Sequence, residues 1–212
     1  MDKFDWLIIG LGNPGDKYAK TRHNIGWMTA QAFCEDCKAQ IKEGSNIYYY
    51  AELSYARNNI FVCFPTTYMN NSGEAAKKIA SKYGIPTNRI IALVDEYNFP
   101  LGKVHLKTSG SDGGHNGIGS LIDELNATNF ARLRLGIDRN FGMGELVEYV
   151  LSEFKPEEQE ALKTTIEMGV DSLKHIIKSG IQRAMSDINS GAIWERKKAK
   201  EEAKNKTDEN KA

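Results

Sequence analysis

The chain is poor in the features that mark secreted, membrane-bound and metal-dependent proteins. No stretch approaches the roughly 20 consecutive apolar residues of a membrane span, and the N-terminus has no basic segment followed by a long apolar run. Three cysteines are too few and too unevenly spaced for a disulfide framework, so a reducing cytoplasm is the expected compartment. Cys34-Glu35-Asp36-Cys37 is a lone CxxC inside a helical pattern. With no second pair to complete a zinc site and no preceding strand, it reads as one buried and one peripheral thiol on a helix. His23, His105, His115 and His175 show no metal-ligand spacing, so no metal and no cofactor are expected. The 28 basic and 28 acidic side chains cancel, so no global positive field marks a nucleic-acid binder, and any RNA contact must rest on a local basic patch. There is no internal repeat and no serine in a G-x-S-x-G elbow, which leaves serine-based hydrolysis without support.

What is present is a chain of 212 residues, 41% hydrophobic, enough for one domain with a substantial core. Trp6-Leu7-Ile8-Ile9 closed by Gly10 reads as a buried strand, followed by a Gly/Asn/Pro-rich loop to about Arg22. From Asn24, a candidate N-cap, Ile25, Met28, Ala32 and Phe33 recur at helical spacing. Ile47 to Tyr55 and Ile60 to Phe64 read as strands joined by a turn around Asn58-Asn59. A second loop, Pro65 to Gly73, leads into a helix through Tyr83 that Gly84 and Pro86 terminate. Ile90 to Val94 is a strand that delivers Asp95 at its end, and Lys103 to Lys107 is a two-sided strand. Ser109 to Gly119 is a Gly-rich loop, Leu121 to Leu125 a short helix, and Arg132 to Ile137 a strand with its arginines on one face. Pro156 to about Ile177 is an amphipathic helix with Glu157 and Glu158 at its positive end. From Glu195 the composition is almost all Lys, Glu, Asn and Ala, so residues 195–212 are expected to form a frayed or disordered tail beyond a domain of residues 1–194. Strands interleaved with helices imply a single three-layer α/β domain, a mixed twisted sheet surrounded by helices, with its site in the polar loops at the strand ends.

Gly10-Leu11-Gly12-Asn13-Pro14-Gly15 has the spacing of a dinucleotide-binding GxGxxG, but the context disagrees. The polar stretch Asp16 to His23 intervenes before the helix, and the acid about 20 residues on, Glu35, lies in a helix and not at the end of a second strand. His23, at the end of this glycine-bounded loop, is better suited to proton transfer near neutrality.

Four segments, in order, carry a resemblance. They are Gly10 to Gly15 with Tyr18 and Thr21-Arg22-His23-Asn24-Ile25-Gly26; Pro65-Thr66-Thr67-Tyr68-Met69-Asn70-Asn71-Ser72-Gly73; Asp95-Glu96; and Gly113-Gly114-His115-Asn116-Gly117. With Arg132 to Ile137 and Tyr149-Val150-Leu151, they make residues 6 to 190 resemble bacterial-type peptidyl-tRNA hydrolases. The resemblance implies a monomeric, metal-free esterase that recycles peptidyl-tRNA dropped from ribosomes, with no obligate protein partner. It implies His23 as catalytic base and Asp95 as the carboxylate that orients it, a chemically sensible pair because the carboxylate fixes the tautomer and stabilises the imidazolium. It makes Asn13, Asn70 and Asn116 the site asparagines, with amides suited to a peptide carbonyl or developing oxyanion. Met69 becomes a soft apolar wall, Tyr18 and His115 substrate contacts, and Lys107 and Arg134 holders of tRNA phosphate. Residues 140–148 correspond to a mobile lid.

The chain departs from the family pattern at several places. Val94 stands where many members carry histidine, Tyr97-Asn98 replaces a usual Leu-Asp, and Ser109, Ser111 and Asp112 replace a glycine-rich run that often includes histidine. Gly119 falls where a basic residue is frequent, and Asp138-Arg139-Asn140 replaces a Gly-basic-Pro turn. These changes bear on tRNA binding more than on reaction type, because His23, Asp95 and the asparagines are intact. A non-catalytic RNA-binding scaffold of the same fold is the alternative reading.

Overall fold

A computed structural model describes residues 4–209. The strands are β1 (Trp6–Gly10), β2 (Lys42–Ser45), β3 (Tyr48–Tyr55), β4 (Asn58–Pro65), β5 (Ile90–Glu96), β6 (Val104–Lys107) and β7 (Ala131–Gly136). The helices are α1 (Ile25–Asp36), α2 (Ser72–Tyr83), α3 (Asn116–Leu125), α4 (Leu146–Val150), α5 (Gln159–Ser179), α6 (Ile181–Asn189) and α7 (Ala192–Glu209). All the strands join one sheet in the order β2-β3-β4-β1-β5-β7-β6. The inner strands β4, β1, β5 and β7 are mutually parallel, while β2, β3 and β6 add antiparallel edges.

The side-chain alternation of the inner strands divides the core in two. Ile8, Val62, Ile91, Leu93, Leu133 and Leu135 meet Ile25 and Phe33 of α1, Leu173 and Ile176 of α5, and Ala184 and Ile188 of α6. Leu7, Ile9, Phe61, Cys63, Ile90 and Ala92 turn the other way, onto Ala76 and Ile79 of α2 and Ile118 and Leu121 of α3. Both faces are covered, which is why β1 and β5 read as continuous apolar runs, and each fully buried Leu or Ile contributes about 2 kcal/mol. This is the expected three-layer arrangement with a mixed sheet. α1 follows β1 onto one face and α2 follows β4 onto the other, and the loops after the parallel strands gather beyond their carboxyl ends, where a crevice opens at the end of β5.

Several local expectations are corrected. The hairpin turn is Ala56-Arg57, with φ of 48° and 65°, and Asn58-Asn59 begins β4. A two-residue primed turn needs positive φ at both positions. The pairing of Leu53 with Ile60 and Ala51 with Val62 holds the strands in that register. The largely exposed β2, with no apolar alternation, escaped the sequence reading, as did α4 and α6. β5 continues through Asp95 and Glu96, both buried. α3 begins at Asn116, five residues before the expected Leu121, because the His115 side chain caps it by accepting from the Gly117 and Ile118 N–H groups; a Cβ on Gly117 would lie 2.5 Å from Met69 Sδ. From Glu195 the chain, expected to fray, continues as helix to Glu209, while residues 210–212 lie outside the described residues. Its Ala, Lys and Glu residues are strong helix formers. Ile193 and Trp194 pack on the core, and Arg196 and Lys197 pair with Asp187 and Asp171. The thiols follow expectation, Cys34 buried and Cys37 half-buried, and burial pushes Cys34 up to about 12.

Candidate active site

The loops at the crevice are tied to one another by hydrogen bonds between their polar groups. Asn24 occupies the helix-cap position of α1 but makes no capping bond. Its Oδ1 instead accepts from the Asn13 N–H at 2.9 Å, and its Nδ2 donates to the Asn13 carbonyl at 2.9 Å. Asn24 therefore acts as a two-ended brace for the β1–α1 loop. A Cβ on Gly12 would sit 3.0 Å from this amide, so the glycine permits the brace. Asn13 reaches in turn to the next loop, its Oδ1 accepting from the Met69 N–H at 2.8 Å. That bond fixes which end of the Asn13 amide is oxygen and leaves Nδ2 as a donor. At Gly73 the two helices behind these loops approach so closely that a Cβ would lie 2.1 Å from the Ser120 carbonyl oxygen.

At the end of β5, Asp95 Oδ1 accepts from two imidazoles, His23 Nδ1 at 2.8 Å and His115 Nε2 at 2.9 Å. The tautomers follow from the other ring atoms. His115 Nδ1 accepts from the N–H groups of Gly117 and Ile118 at the start of α3, so its hydrogen is on Nε2, facing Asp95. His23, with Nδ1 donating to Asp95, has Nε2 as its remaining ring nitrogen. Burial alone would lower the His23 imidazole, but the charge and hydrogen bond of Asp95 outweigh it and raise it above the ordinary histidine value. Burial alone would raise Asp95, but both imidazoles outweigh it and hold the carboxyl far below the usual carboxylate range. Such an arrangement delivers a carboxylate-backed imidazole able to take a proton. His23, Asp95 and His115 are also the trio among the described residues whose ligand atoms, all within 4.8 Å, have metal-binding spacing. In the geometry observed, the ring nitrogens that face the carboxylate share hydrogens with it.

A cavity of about 280 Å³ opens from this trio, lined further by Asn116, Lys107, Arg134, Arg132 and the apolar edge of α4, Leu146, Val147 and Val150. Of the residues expected at the site, His23, Asp95, His115, Asn116, Lys107 and Arg134 are thus brought together. Asn13 and Met69 are buried in the adjoining loops, and Met69 abuts Gly117 behind His115. Asn70 is exposed beside them, and Tyr18 meets the exposed Tyr68 edge-on, with ring centroids 6.5 Å apart; neither lines the cavity. Within the segment expected to be a lid, Met143 and Val147 are exposed.

Arg134 is not a free cation: its Nε donates to Glu96 Oε2 at 2.8 Å, and its Nη2 pairs with the same oxygen. Glu96 is held from the other side by the Asn98 N–H and side-chain amide. Sequence reasoning missed this acid and Arg132, whose Nη2 donates to the Gly110 carbonyl at 2.6 Å. It also missed Arg22, buried beside His23, stacked on Tyr149 and Phe154 and paired with Glu158 at 2.7 Å. The signals available were the Arg-Leu-Arg alternation and a charged residue next to the candidate base, neither of which discloses a partner.

Residues 7–201 match the family model described as peptidyl-tRNA hydrolase. The chain is 40% identical to the peptidyl-tRNA hydrolase of Gloeobacter violaceus over 185 residues, 87% of this chain and 93% of that one. It is likewise 40% identical to that of Thermodesulfovibrio yellowstonii, over 86% and 98% of the two chains. Its fold superimposes on the crystal structure of peptidyl-tRNA hydrolase from Acinetobacter baumannii with a TM-score of 0.82 at 29% identity, covering 89% and 97% of the two chains. In sequence and in fold, the chain belongs to the peptidyl-tRNA hydrolase family.

Proposed function

We propose that the chain hydrolyses the ester joining a peptide, or an N-blocked aminoacyl group, to the 3′-terminal ribose of tRNA, with His23 as general base. The observation that carries this reading is the Asp95 carboxylate bonded to His23 Nδ1, which leaves Nε2 to accept a proton. A water held at Nε2 attacks the ester carbonyl as its proton passes to His23, and Asp95 stabilises the imidazolium. The tetrahedral intermediate then collapses as that proton is returned to the departing ribose oxygen. The Asn13 amide, oriented by the Met69 N–H, and Asn116 in the cavity wall supply donors for the carbonyl oxygen, with Asn70 on the peptide side. His115 donates to the same oxygen of Asp95 as His23, so it sets the carboxylate's orientation as well as contacting substrate. Lys107 and Arg134 hold tRNA phosphate, and Tyr18 stacks on a terminal base. An ester is reactive enough to be hydrolysed this way without a serine intermediate. The same reading makes the enzyme a metal-independent cytoplasmic monomer; no helix among the described residues is long and apolar enough to cross a membrane.

The test is single-turnover release of N-acetylaminoacyl groups from tRNA, with and without chelator, in wild type and His23→Ala. Chelator-resistant release that disappears in a folded variant is expected. Release that depends on metal would convert the His23–Asp95–His115 trio into a metal site. No release by folded wild type, with tRNA binding intact, would make the chain an RNA-binding scaffold.

A further inference from the structure

β6 is an edge strand whose two faces differ. Val104 and Leu106 turn into the core shared with α5 and α6. His105 and Lys107 point to the opposite face, and there they sit across from Arg134 and Arg132 of β7, which are their register partners. Residues directly opposite on an antiparallel pair share a face. Phe99, just before β6, anchors the group: the Lys103 ammonium and the Arg134 guanidinium each lie 4.8 Å from its ring centroid, and the His105 ring lies 5.5 Å away. The result is a strip of Lys103, His105, Lys107 and Arg134, backed by the buried Arg132, that begins at the cavity, which Lys107 and Arg134 line, and continues to the sheet edge. Glu96, paired with Arg134, is the carboxylate acting on His105. Asp112 acts on Arg132. Three cations, Lys103, Lys107 and Arg134, and one carboxylate, Glu96, therefore act on this histidine, while Arg132 is buried behind them with its Nη2 on the Gly110 carbonyl. The Nδ1 of His105 is buried with no hydrogen-bond partner, so contact with a phosphate falls to Nε2.

We propose that His105 is a pH-gated phosphate contact, and that this strip grips the backbone of an RNA duplex more tightly when His105 carries a proton. The inference rests on the reading of the chain as an enzyme acting on tRNA, and deepens it by giving the protein a second titrating group, outside the reaction. Burial lowers His105 from the ordinary histidine value, and Arg134, Lys103 and Lys107 lower it further, with Glu96 opposing them. α6 packs on the other face of β6, through Val104 and Leu106, and does not face the imidazole. Free protein therefore holds His105 neutral near neutrality. A phosphate laid across the strip neutralises the same cations that depress it, so proton uptake accompanies binding. By linkage, affinity rises as pH falls through the bound-state value of His105 and levels off below its free-state value. Each unit between those two values is worth about tenfold in affinity.

The probe is a short RNA hairpin duplex without a single-stranded 3′ end, so it offers backbone phosphates to the strip but no acceptor end to His23. Binding is followed by fluorescence anisotropy from about pH 5 to 8 in wild type, His105→Gln and His105→Lys. Wild type is expected to bind more tightly as pH falls, with a salt slope steeper by about 0.9 at the acid end, one additional ion displaced. It also takes up protons, read calorimetrically in buffers of different ionisation enthalpy. His105→Gln should be flat at the wild-type affinity of high pH, and His105→Lys flat at that of low pH. A pH dependence that survives in His105→Gln, a flat wild-type profile, or failure of wild type to bind the hairpin would each overturn the inference. Ester release by the same samples, assayed in parallel, tests the enzymatic reading separately. Release with a flat binding profile removes only the role of His105, whereas pH-dependent binding without release removes only the enzyme.

Discussion

Replacing Asp95 by asparagine separates the charge of the site from its shape. The amide oxygen can accept one or both of the hydrogens that His23 and His115 now donate at 2.8 and 2.9 Å, so the fold should survive. What disappears is the negative charge beside the imidazolium that forms when His23 takes a proton. Unit charges about 4 Å apart interact by about 4 kcal/mol at an effective dielectric of about 20. If this stabilisation acts only on the charged state, kcat should fall on the order of 10³-fold. The pH profile provides a second, independent readout. In wild type the limb of kcat/KM set by deprotonation of His23 should lie above the ordinary histidine value, because Asp95 outweighs the effect of burial on His23. In Asp95→Asn the charge is lost and burial is opposed only by a neutral hydrogen bond, so the limb should move to the acid side of its wild-type position while its plateau drops. Single-turnover release from N-acetylaminoacyl-tRNA across pH measures both. A variant within tenfold of wild type, or one whose limb stays in place, would refute the role of Asp95 as the charge behind His23.

Two further substitutions probe the supports of the site. Asn24→Ala removes both bonds to the Asn13 backbone and leaves a buried N–H and C=O unpaired. It should cost about 3 kcal/mol in urea denaturation and lower kcat, as the Asn13 amide loses its orientation. Normal turnover in this variant would show that the brace has no catalytic consequence. Arg22→Ala empties the slot between Tyr149 and Phe154 and removes the ion-pair partner of Glu158, which keeps only the Lys155 N–H. A loss of about 3 kcal/mol is expected. Burial alone would raise Glu158, but hydrogen bonds from Arg22 and the Lys155 N–H outweigh it and lower its carboxyl. The Arg22–Glu158 pair thus stabilises the fold above the unfolded value of glutamate and less as pH falls below it. The stability gap between wild type and Arg22→Ala should accordingly narrow in acid; a gap independent of pH would assign the loss to packing alone.

The elements legible in the sequence are those whose pattern is local. Continuous apolar runs identified β1 and β5, since a strand covered on both faces has no polar side to show. Gly84, at φ 64°, marked the end of α2 because left-handed backbone there favours glycine. The polar loops that carry His23, Met69 and His115 were legible as interruptions between these elements. β2 was not, because a strand exposed along most of its length needs no apolar alternation. The turn at Ala56-Arg57 was displaced from Asn58-Asn59 because cross-strand packing outweighed the local preference of asparagine for positive φ. The helical continuation to Glu209 rests on strong helix formers and on ion pairs to Asp171 and Asp187, partners that no local window contains.

Composition, segment order and residue type were sufficient by themselves to indicate the α/β class and the family, and to single out His23, Asp95 and His115, which the fold brings together at one cavity. Tertiary structure alone decided how those residues are partnered. The sharing of one Asp95 oxygen by two imidazoles, the brace from Asn24 to Asn13 and the pairing of Arg134 with Glu96 all join residues from different elements. It likewise decided that His105, one of four scattered histidines in the chain, lies among cations on the face of β6 turned away from α6. The physical reason is distance: a hydrogen bond or an ion pair acts over about 3 Å, and which groups come that close depends on the register of the sheet and the packing of helices on it.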